Sequence, residues 1–243
     1  MHQRHIGFSV ALLLSVLCGT ATPQSTAASD ESCWAATRRD FQRHAVQMWR
    51  GIQGAPGGAV TPTNLKWEIP IAAATAVLIT RIDAEAAGRI RSEQVAGATE
   101  TASNALLGSQ FGIAVLSYTI GCAAGKPQAR DLGLTTLAGL GFAIGSDLLL
   151  KAAFNREYPN KWNGEGRFWA GGKSFPSGHA AAAWGMASAF AARKRSPRWM
   201  KWAAYASAAG AGMLRFPARK HFPSDILIGG TLGYVTGRWV GEH

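Results

Sequence analysis

Six apolar segments follow one another along the chain, and they constrain the fold more than any other feature. None of them sustains an alternation of apolar and polar residues, so helices are favoured over strands. The segments are Trp67–Thr80, Thr101–Gly125, Leu132–Leu150, His179–Ala192, Trp202–Leu214 and Ile226–Val240. We therefore predict an all-α fold, a bundle of about six core helices in a domain that spans residues 66–243.

Two of these segments are long enough to cross a membrane, which takes about 20 mainly apolar residues. Thr101–Gly125 contains no charged residue, and Leu132–Leu150 carries only Asp147, near one end. Charged residues make up 16% of the chain, against roughly 25% in soluble domains. We expect the bundle to be embedded in a membrane. A soluble bundle that uses the same segments as core helices stays open.

The first 28 residues have the three-part pattern of a secretory signal. Arg4 lies near the start, the apolar run Ile6–Gly19 follows, and small residues come next. We predict that residues 1–28 are a signal peptide or an uncleaved N-terminal anchor, and that residues 29–65 form an extracytoplasmic segment. In either case the chain is exported or bound to the membrane.

The chain has three cysteines, too few for a framework of disulfides. Cys18 would leave with the signal, while Cys33 and Cys122 could pair in an oxidising compartment. Because Cys122 lies in an apolar segment, we expect it to be a buried free thiol. No Cys-x-x-Cys or Cys/His cluster is present, so no metal or other cofactor is expected.

The formal net charge is +11, which favours an anionic partner. A nucleic-acid-binding protein would concentrate this charge on a polar domain with a recognisable motif. Here the polar stretches are short, and several basic residues lie between apolar segments. We therefore expect a phosphate-bearing substrate and a membrane surface as partners, and no nucleic acid.

Three polar clusters lie at the boundaries of apolar segments. They are Lys151–Pro159, Gly171–His179 and Arg215–Asp225. Lys151, Arg156 and Arg215 supply three cations, and a guanidinium group matches phosphate oxygens with a two-pronged fork. Ser177 suits a helix N-cap, and Gly178 lets a ligand approach the N–H groups of the first turn. The clusters therefore predict a pocket for a tetrahedral oxyanion.

Two histidines would supply the reactivity of this pocket. His221 and Asp225 are four residues apart, so a helix that begins there can place them together. A carboxylate beside one ring nitrogen fixes the tautomer and leaves the other nitrogen free to attack. His179 could protonate a leaving oxygen. A metal ion is not needed, because the cations neutralise the charge that develops on the phosphoryl group.

The three clusters resemble the type 2 phosphatidic acid phosphatase (PAP2) family, which also includes bacterial acid phosphatases and vanadium haloperoxidases. The family pattern reads K-x6-R-P, then P-S-G-H, then S-R-x5-H-x3-D. Pro176–His179 matches the second motif in full, and Arg215, His221 and Asp225 have the spacing of the third. The resemblance covers roughly residues 132–240 and implies the helical core of that family.

Two positions depart from the family pattern. Tyr158 stands where the family usually has arginine, and Leu214 stands where it often has serine. Arg156, two residues before Tyr158, is expected to recover the phosphate contact. The resemblance implies that His221 forms a phosphohistidine, that Asp225 orients it and that His179 is the general acid. It also implies a set of residues that hold the phosphate, namely Lys151, Arg156, Ser177, Gly178 and Arg215.

The resemblance implies a metal-independent phosphatase that hydrolyses a lipid phosphate or pyrophosphate. We expect it in the cell membrane, with its active site facing the periplasm or the exterior. Three alternatives stay open. They are a soluble periplasmic acid phosphatase of broad specificity, a vanadate-dependent haloperoxidase, and a non-catalytic membrane protein that binds anionic lipid.

One short connection carries five basic residues, Arg193, Lys194, Arg195, Arg198 and Lys201. The positive-inside rule places such a connection in the cytoplasm. The connections 151–178 and 215–225 would then face outward, provided that Trp67–Thr80 packs at the surface without crossing. We predict that a tag inserted at residue 196 is labelled only after the cells are permeabilised. Labelling of this tag in intact cells would contradict the predicted topology.

Overall fold

In the computed structural model, the described residues are 62–243 except 90–91, 162–164 and 195, together with 33, 35, 37–39, 41, 42 and 46. The predicted signal peptide or anchor and most of segment 29–65 lie outside the described residues. Every regular element in the described part of the chain is a helix. The all-α prediction is therefore confirmed.

From residue 62 onward, seven α-helices follow one another in the described residues. They are α1 (Pro62–Val77), α2 (Asp83–Arg89), α3 (Glu93–Ala123), α4 (Pro127–Phe154), α5 (Gly178–Ala192), α6 (Arg198–Met213) and α7 (Pro223–Glu242). A π-helical turn, Leu78–Ile82, joins α1 to α2. All six predicted apolar segments are helical, and α2 is a short additional helix that the apolar pattern did not indicate.

The helix α5 is the centre of the bundle, where α3, α4, α6 and α7 pack against it. Most of its residues are buried, and all of the buried ones except Met186 have small side chains. Because the side chains of an alanine-rich helix are short, four neighbouring helices can pack close to its backbone. The composition of α5 therefore determines how tightly the bundle is built.

The contact between α5 and α7 is the most extensive in the described part of the bundle, and glycine makes it possible. On α7 the residues that meet α5 recur every four positions, at Gly229, Gly233, Gly237 and Gly241. They lie against Ser177, Ala181, Gly185 and Ala189, which have the same spacing. Such small-residue stripes let two helix backbones touch. The helices run parallel, so the N-terminus of α7 lies beside the N-terminus of α5.

The helices α3 and α4 form a long hairpin whose outer surface is apolar. Ile113, Leu116 and Ile120 on α3 and Leu148 and Leu149 on α4 are all more than half exposed. These two are the described helices that are long and apolar enough to cross a membrane. The expected embedding in a membrane therefore rests on the length and composition of two helices.

The expectation of a free thiol at Cys122 is wrong. Cys122 forms a disulfide with Cys33. The two chain segments also meet one turn earlier on α3, where the Thr37 and Tyr118 hydroxyls are 3.1 Å apart. Hydropathy placed Cys122 in an apolar segment, but it does not show which face of a helix is turned to a neighbour. Here that face is only partly buried and contacts the segment around Cys33.

The glycine stripe leads to a prediction about stability. A Cβ atom at position 237 would lie 2.1 Å from the carbonyl oxygen of Gly185, so Gly237→Ala must push α7 away from α5. We expect the substitution to lower the free energy of unfolding by about 1–3 kcal/mol. Gly141→Ala is the control, because a Cβ there meets nothing within 4 Å. The control should be neutral or stabilising by about 0.5–1 kcal/mol.

Denaturant or thermal unfolding of the purified full chain would measure both variants. A Gly237→Ala protein as stable as the Gly141→Ala protein would show that the two helices are not in backbone contact.

Candidate active site

The three polar clusters meet at one end of the bundle, around a cavity of about 410 Å³. Each cluster lies at a helix end: Lys151 in the last turn of α4, Ser177 before α5, and Asp225 in the first turn of α7. Because α5 and α7 are parallel, their N-termini lie side by side here. Five of the predicted site residues line the cavity, namely Lys151, Gly178, His179, Arg215 and His221.

His221 is held by a backbone carbonyl. Its Nδ1 lies 2.8 Å from the carbonyl oxygen of Ser174, whereas Oδ2 of Asp225 is 3.7 Å away. A carbonyl oxygen can only accept a hydrogen bond, so Nδ1 carries the proton and Nε2 has a free lone pair. Burial lowers the pKa of His221, although the nearby Asp225 opposes this. The imidazole is therefore neutral and available as a nucleophile.

Asp225 lies behind His221 and is fully buried. Its Oδ2 accepts hydrogen bonds from the Ser174 hydroxyl and from the Phe222 N–H, at 2.9 Å for the latter. Its Oδ1 accepts one from Arg156 at 2.6 Å. Although burial alone would raise the pKa of Asp225, its neighbours His221 and Arg156 lower it overall. The predicted pairing with His221 thus runs mainly through Ser174.

Arg156 does not line the cavity, and this corrects the predicted phosphate contact. Its side chain is 1% exposed and lies between the rings of Phe168 and Phe222, 4.7 and 4.2 Å from their centroids. The guanidinium donates to Asp225 and, at 2.8 Å, to Asp83. Spacing along the chain cannot show to which side of a loop a residue points. Here the side chain is turned away from the cavity, into the protein.

Ser177 caps α5 as predicted. Its hydroxyl accepts from the N–H of Ala180 at 3.5 Å, and its own N–H donates to the Asp225 carbonyl at 2.9 Å. The side chain is buried, so the residue that faces the cavity at this helix end is Gly178. The first turn of α5 therefore offers backbone rather than hydroxyl donors to an anion.

Lys151 is fixed beside the N-terminus of α5. Its Nζ is 3.0 Å from Oδ1 of Asp147, one turn earlier on α4, and it also donates to the carbonyl of Pro176. These contacts hold the ammonium group next to the first turn of α5. Lys151 can therefore place a positive charge near the first-turn N–H groups.

His179 and Arg215 share a partner that the sequence did not indicate. Oδ1 of Asn104, on α3, lies 2.9 Å from Nε2 of His179 and accepts from Nη1 of Arg215 at 3.3 Å. Burial, followed by the nearby charges of Arg215 and His221, lowers the pKa of His179 to about 4. His179 is therefore neutral in the empty cavity at neutral pH.

Arg215 retains one donor without a partner. Within the described part of the chain, its buried Nε makes no hydrogen bond. A buried donor that is left unmatched is costly. Arg215 itself is one of the residues that line the cavity, so its guanidinium brings a positive charge to that wall.

Tyr158 occupies the position at which the PAP2 pattern has arginine, and it faces the cavity. Its ring centroid is 6.2 Å from that of His221. Burial raises the pKa of Tyr158, so its hydroxyl stays protonated and can donate a hydrogen bond. Three further lysines line the cavity, Lys161, Lys173 and Lys220.

A second cavity, of about 540 Å³, opens beside the first. It shares Gly178 and His179 with the cationic cavity and extends between α3, α4 and α5. Its other walls are almost entirely apolar, and include Leu107, Phe111, Leu140, Ile144 and Met186. We call this cavity the apolar groove.

Residues 132–241 match the PAP2 superfamily. This part of the chain is a PAP2 domain. The matched residues include all three motif clusters and the helices α5, α6 and α7. The match supports the general class of the phosphoric ester hydrolases. No curated protein and no solved structure matches this chain.

Sequence reasoning did not identify three of the residues that build this PAP2 site. Asn104 lies within the uncharged segment Thr101–Gly125, where its amide was the only signal. Ser174 lies two residues before the Pro176–His179 motif. Asp83 is 141 residues from Ser224, its partner on α7, and no local pattern relates them.

The low pKa of His179 leads to a prediction about anion binding. A phosphate dianion in the cavity favours the imidazolium form, so it should raise the pKa of His179 and bind together with a proton. We expect phosphate affinity to fall as the pH rises from about 5 to about 8, and to fall less steeply in His179→Gln. Calorimetry in two buffers with different ionisation enthalpies would count the protons taken up.

His243→Gln is the control, because this histidine is exposed at the end of α7. The His243→Gln protein should take up as many protons on binding phosphate as the wild type does. The same uptake in His179→Gln would contradict the role of His179 as the group that is protonated.

Proposed function

We propose that this PAP2 protein hydrolyses a phosphate or diphosphate ester whose alcohol carries a long apolar chain. One observation carries the proposal: the cationic cavity and the apolar groove join at Gly178 and His179. A phosphate held among the cations would have its organic group directed into the groove. Few polar anchors combined with apolar walls are typical of ligand sites.

In the first step we propose that His221 attacks the phosphorus atom through Nε2. A P–N bond forms while the P–O bond to the alcohol breaks, and His179 gives its proton to the leaving oxygen. His179 must be protonated for this step, and the negative charge of the bound phosphate favours its protonated form. Its place at the junction of the two cavities puts it beside the oxygen that bears the apolar chain.

In the second step a water molecule attacks the phosphorus atom of the phosphohistidine. His179 takes a proton from this water, the P–N bond breaks, and His221 regains its lone pair as phosphate leaves. Arg215, Lys151 and the first turn of α5 would hold the phosphate oxygens in both steps. The carboxylate of Asp225 would stabilise the positive charge on the phosphorylated imidazole.

The apolar surface of α3 and α4 supports a membrane location for the proposed enzyme. The active site lies at the N-terminus of α5, whereas Arg193 beyond its C-terminus pairs with Asp131 and donates to Thr135 at 3.0 Å. The 15 residues of α5 span about 22 Å. The basic connection and the active site are therefore at opposite ends of the bundle, as an outward-facing site requires.

One observation favours the soluble periplasmic acid phosphatase as a second candidate. The Cys33–Cys122 disulfide lies one residue before the end of α3. This is the end that also carries Lys126 and the basic connection. Disulfides are rare in the cytoplasm, so a bundle that lies wholly in an oxidising compartment would accommodate the disulfide. Pelleting of membranes separates the two candidates by the fraction that holds the protein.

A substitution in the groove tests the proposed substrate class. Gly108 lines the apolar groove, and a Cβ added there meets nothing within 4 Å. The leucine of Gly108→Leu would occupy the groove, so we expect KM for a long-chain alkyl phosphate to rise by about tenfold or more. KM for a short, water-soluble phosphate ester should not change.

The matched control is Gly112→Leu, one turn further along α3. A Cβ at this position is equally unobstructed, but the residue does not line the groove. Phosphate release would be measured in detergent with EDTA present, and His221→Ala should abolish it. Equal effects of Gly108→Leu on long and short substrates would contradict the groove as the site of the apolar chain.

A further inference from the structure

We propose that Asp83 is a positioning residue, which holds Arg156 and the start of α7 in the arrangement that orients His221. Asp83 lies outside the PAP2 match, which begins at residue 132. The proposal deepens the proposed function and rests on it. It implies that the segment around α2 belongs to the catalytic unit.

Asp83 is the first residue of α2 and is 1% exposed. Its Oδ2 accepts from Nη2 of Arg156 at 2.8 Å and from the hydroxyl of Ser224. Its Oδ1 accepts from the N–H of Ser224 at 3.2 Å. Because Ser224 is the second residue of α7, the Asp83 carboxylate also satisfies one of the free N–H groups at that helix end.

Arg156 connects Asp83 to the active site. Its Nη1 donates to Oδ1 of Asp225 at 2.6 Å and to the hydroxyl of Ser224 at 2.7 Å. Its Nε donates to the carbonyl of Gly166 at 3.0 Å. A guanidinium is a rigid plane, so a carboxylate fixed on one edge determines where the other edge lies. Asp83 thus determines where Arg156 holds Asp225.

The arrangement continues from Asp225 to the reacting group. Oδ2 of Asp225 accepts from the hydroxyl of Ser174, and the carbonyl of Ser174 holds Nδ1 of His221 at 2.8 Å. A shift of Asp225 would therefore move Ser174 and turn the imidazole. A displacement of about 1 Å at a reacting group can lower a rate by about 100-fold.

The charges of these groups provide a signature of the proposed role. Asp83, Asp225 and Arg156 together carry one net negative charge beside His221. If Asp83 is made neutral, the positive charge of Arg156 fully compensates the negative charge of Asp225. His221 then binds its proton less tightly, because no net negative charge lies beside it. Other charged or titratable groups face His221 and stay unchanged, namely Asp147, Lys151, Tyr158, His179 and Arg215.

The test compares Asp83→Asn with Glu157→Gln in the full-length chain. Glu157 is also a buried carboxylate beside an arginine, but it pairs with Arg167. For Asp83→Asn we expect kcat to fall by about 10- to 100-fold. KM should stay the same, because Asp83 does not line the cavity. The acid limb of kcat/KM should move to lower pH.

Glu157→Gln would lose stability without a change in kcat or in the pH profile. Wild-type kcat and an unchanged pH profile in a folded Asp83→Asn protein would overturn the proposal. Should that variant not fold, Ser224→Ala keeps all charges and removes the hydroxyl between Asp83 and Arg156. It should lower kcat at constant KM, and a wild-type kcat in this variant would overturn the proposal as well.

An NMR titration of His221 separates this proposal from the proposed function. The pKa of His221 can be followed by its imidazole signals in the full-length protein, without any substrate. If the wild type releases no phosphate, the proposed function fails, while a lower pKa of His221 in Asp83→Asn still supports the positioning role. An unchanged pKa of His221 would overturn it.

Discussion

A guanidinium group buried between two carboxylates, that of Arg156 between Asp83 and Asp225, is the interaction on which the rest of the site depends. Removing one partner of such a buried pair costs about 3–5 kcal/mol, because a charge is left uncompensated. Here three charges and the Ser224 hydroxyl satisfy one another. The interaction connects α2, the loop after α4 and the start of α7, so the backbone around His221 has one arrangement.

The close approach of α5 and α7 places the start of α7, which carries Asp225, beside the segment before α5, which carries Ser174. The stripe of four glycines on α7 lets the two backbones touch along their length, and the parallel direction brings both N-termini to one end. The same end then has the first-turn N–H groups of α5, together with Lys151 and Arg215. Packing by small residues therefore also brings together the groups that we propose bind a phosphate.

The junction of a cationic cavity with an apolar groove relates this geometry to a substrate. His179 belongs to both cavities, and burial together with the nearby charge of Arg215 favours its neutral form. A phosphate would bring the charge that protonates it. Binding and proton donation are thereby coupled in the proposed mechanism, since the bound substrate favours the protonated form of its general acid, His179.

The sequence by itself determined the helices and the likeness to the PAP2 family, since apolar patterns and motif spacing are local properties. It also predicted His221 as a site residue, and His221 lines the cavity. It was wrong about Arg156, because spacing does not show to which side a residue points, and about Cys122, because hydropathy does not show which face of a helix meets a neighbour. Asp83 and Asn104 come from helices far from the motifs, and only the tertiary structure decided that they meet the site. A buried charge or amide takes whichever partner the folded chain brings within hydrogen-bonding distance, and the order of residues does not specify that partner.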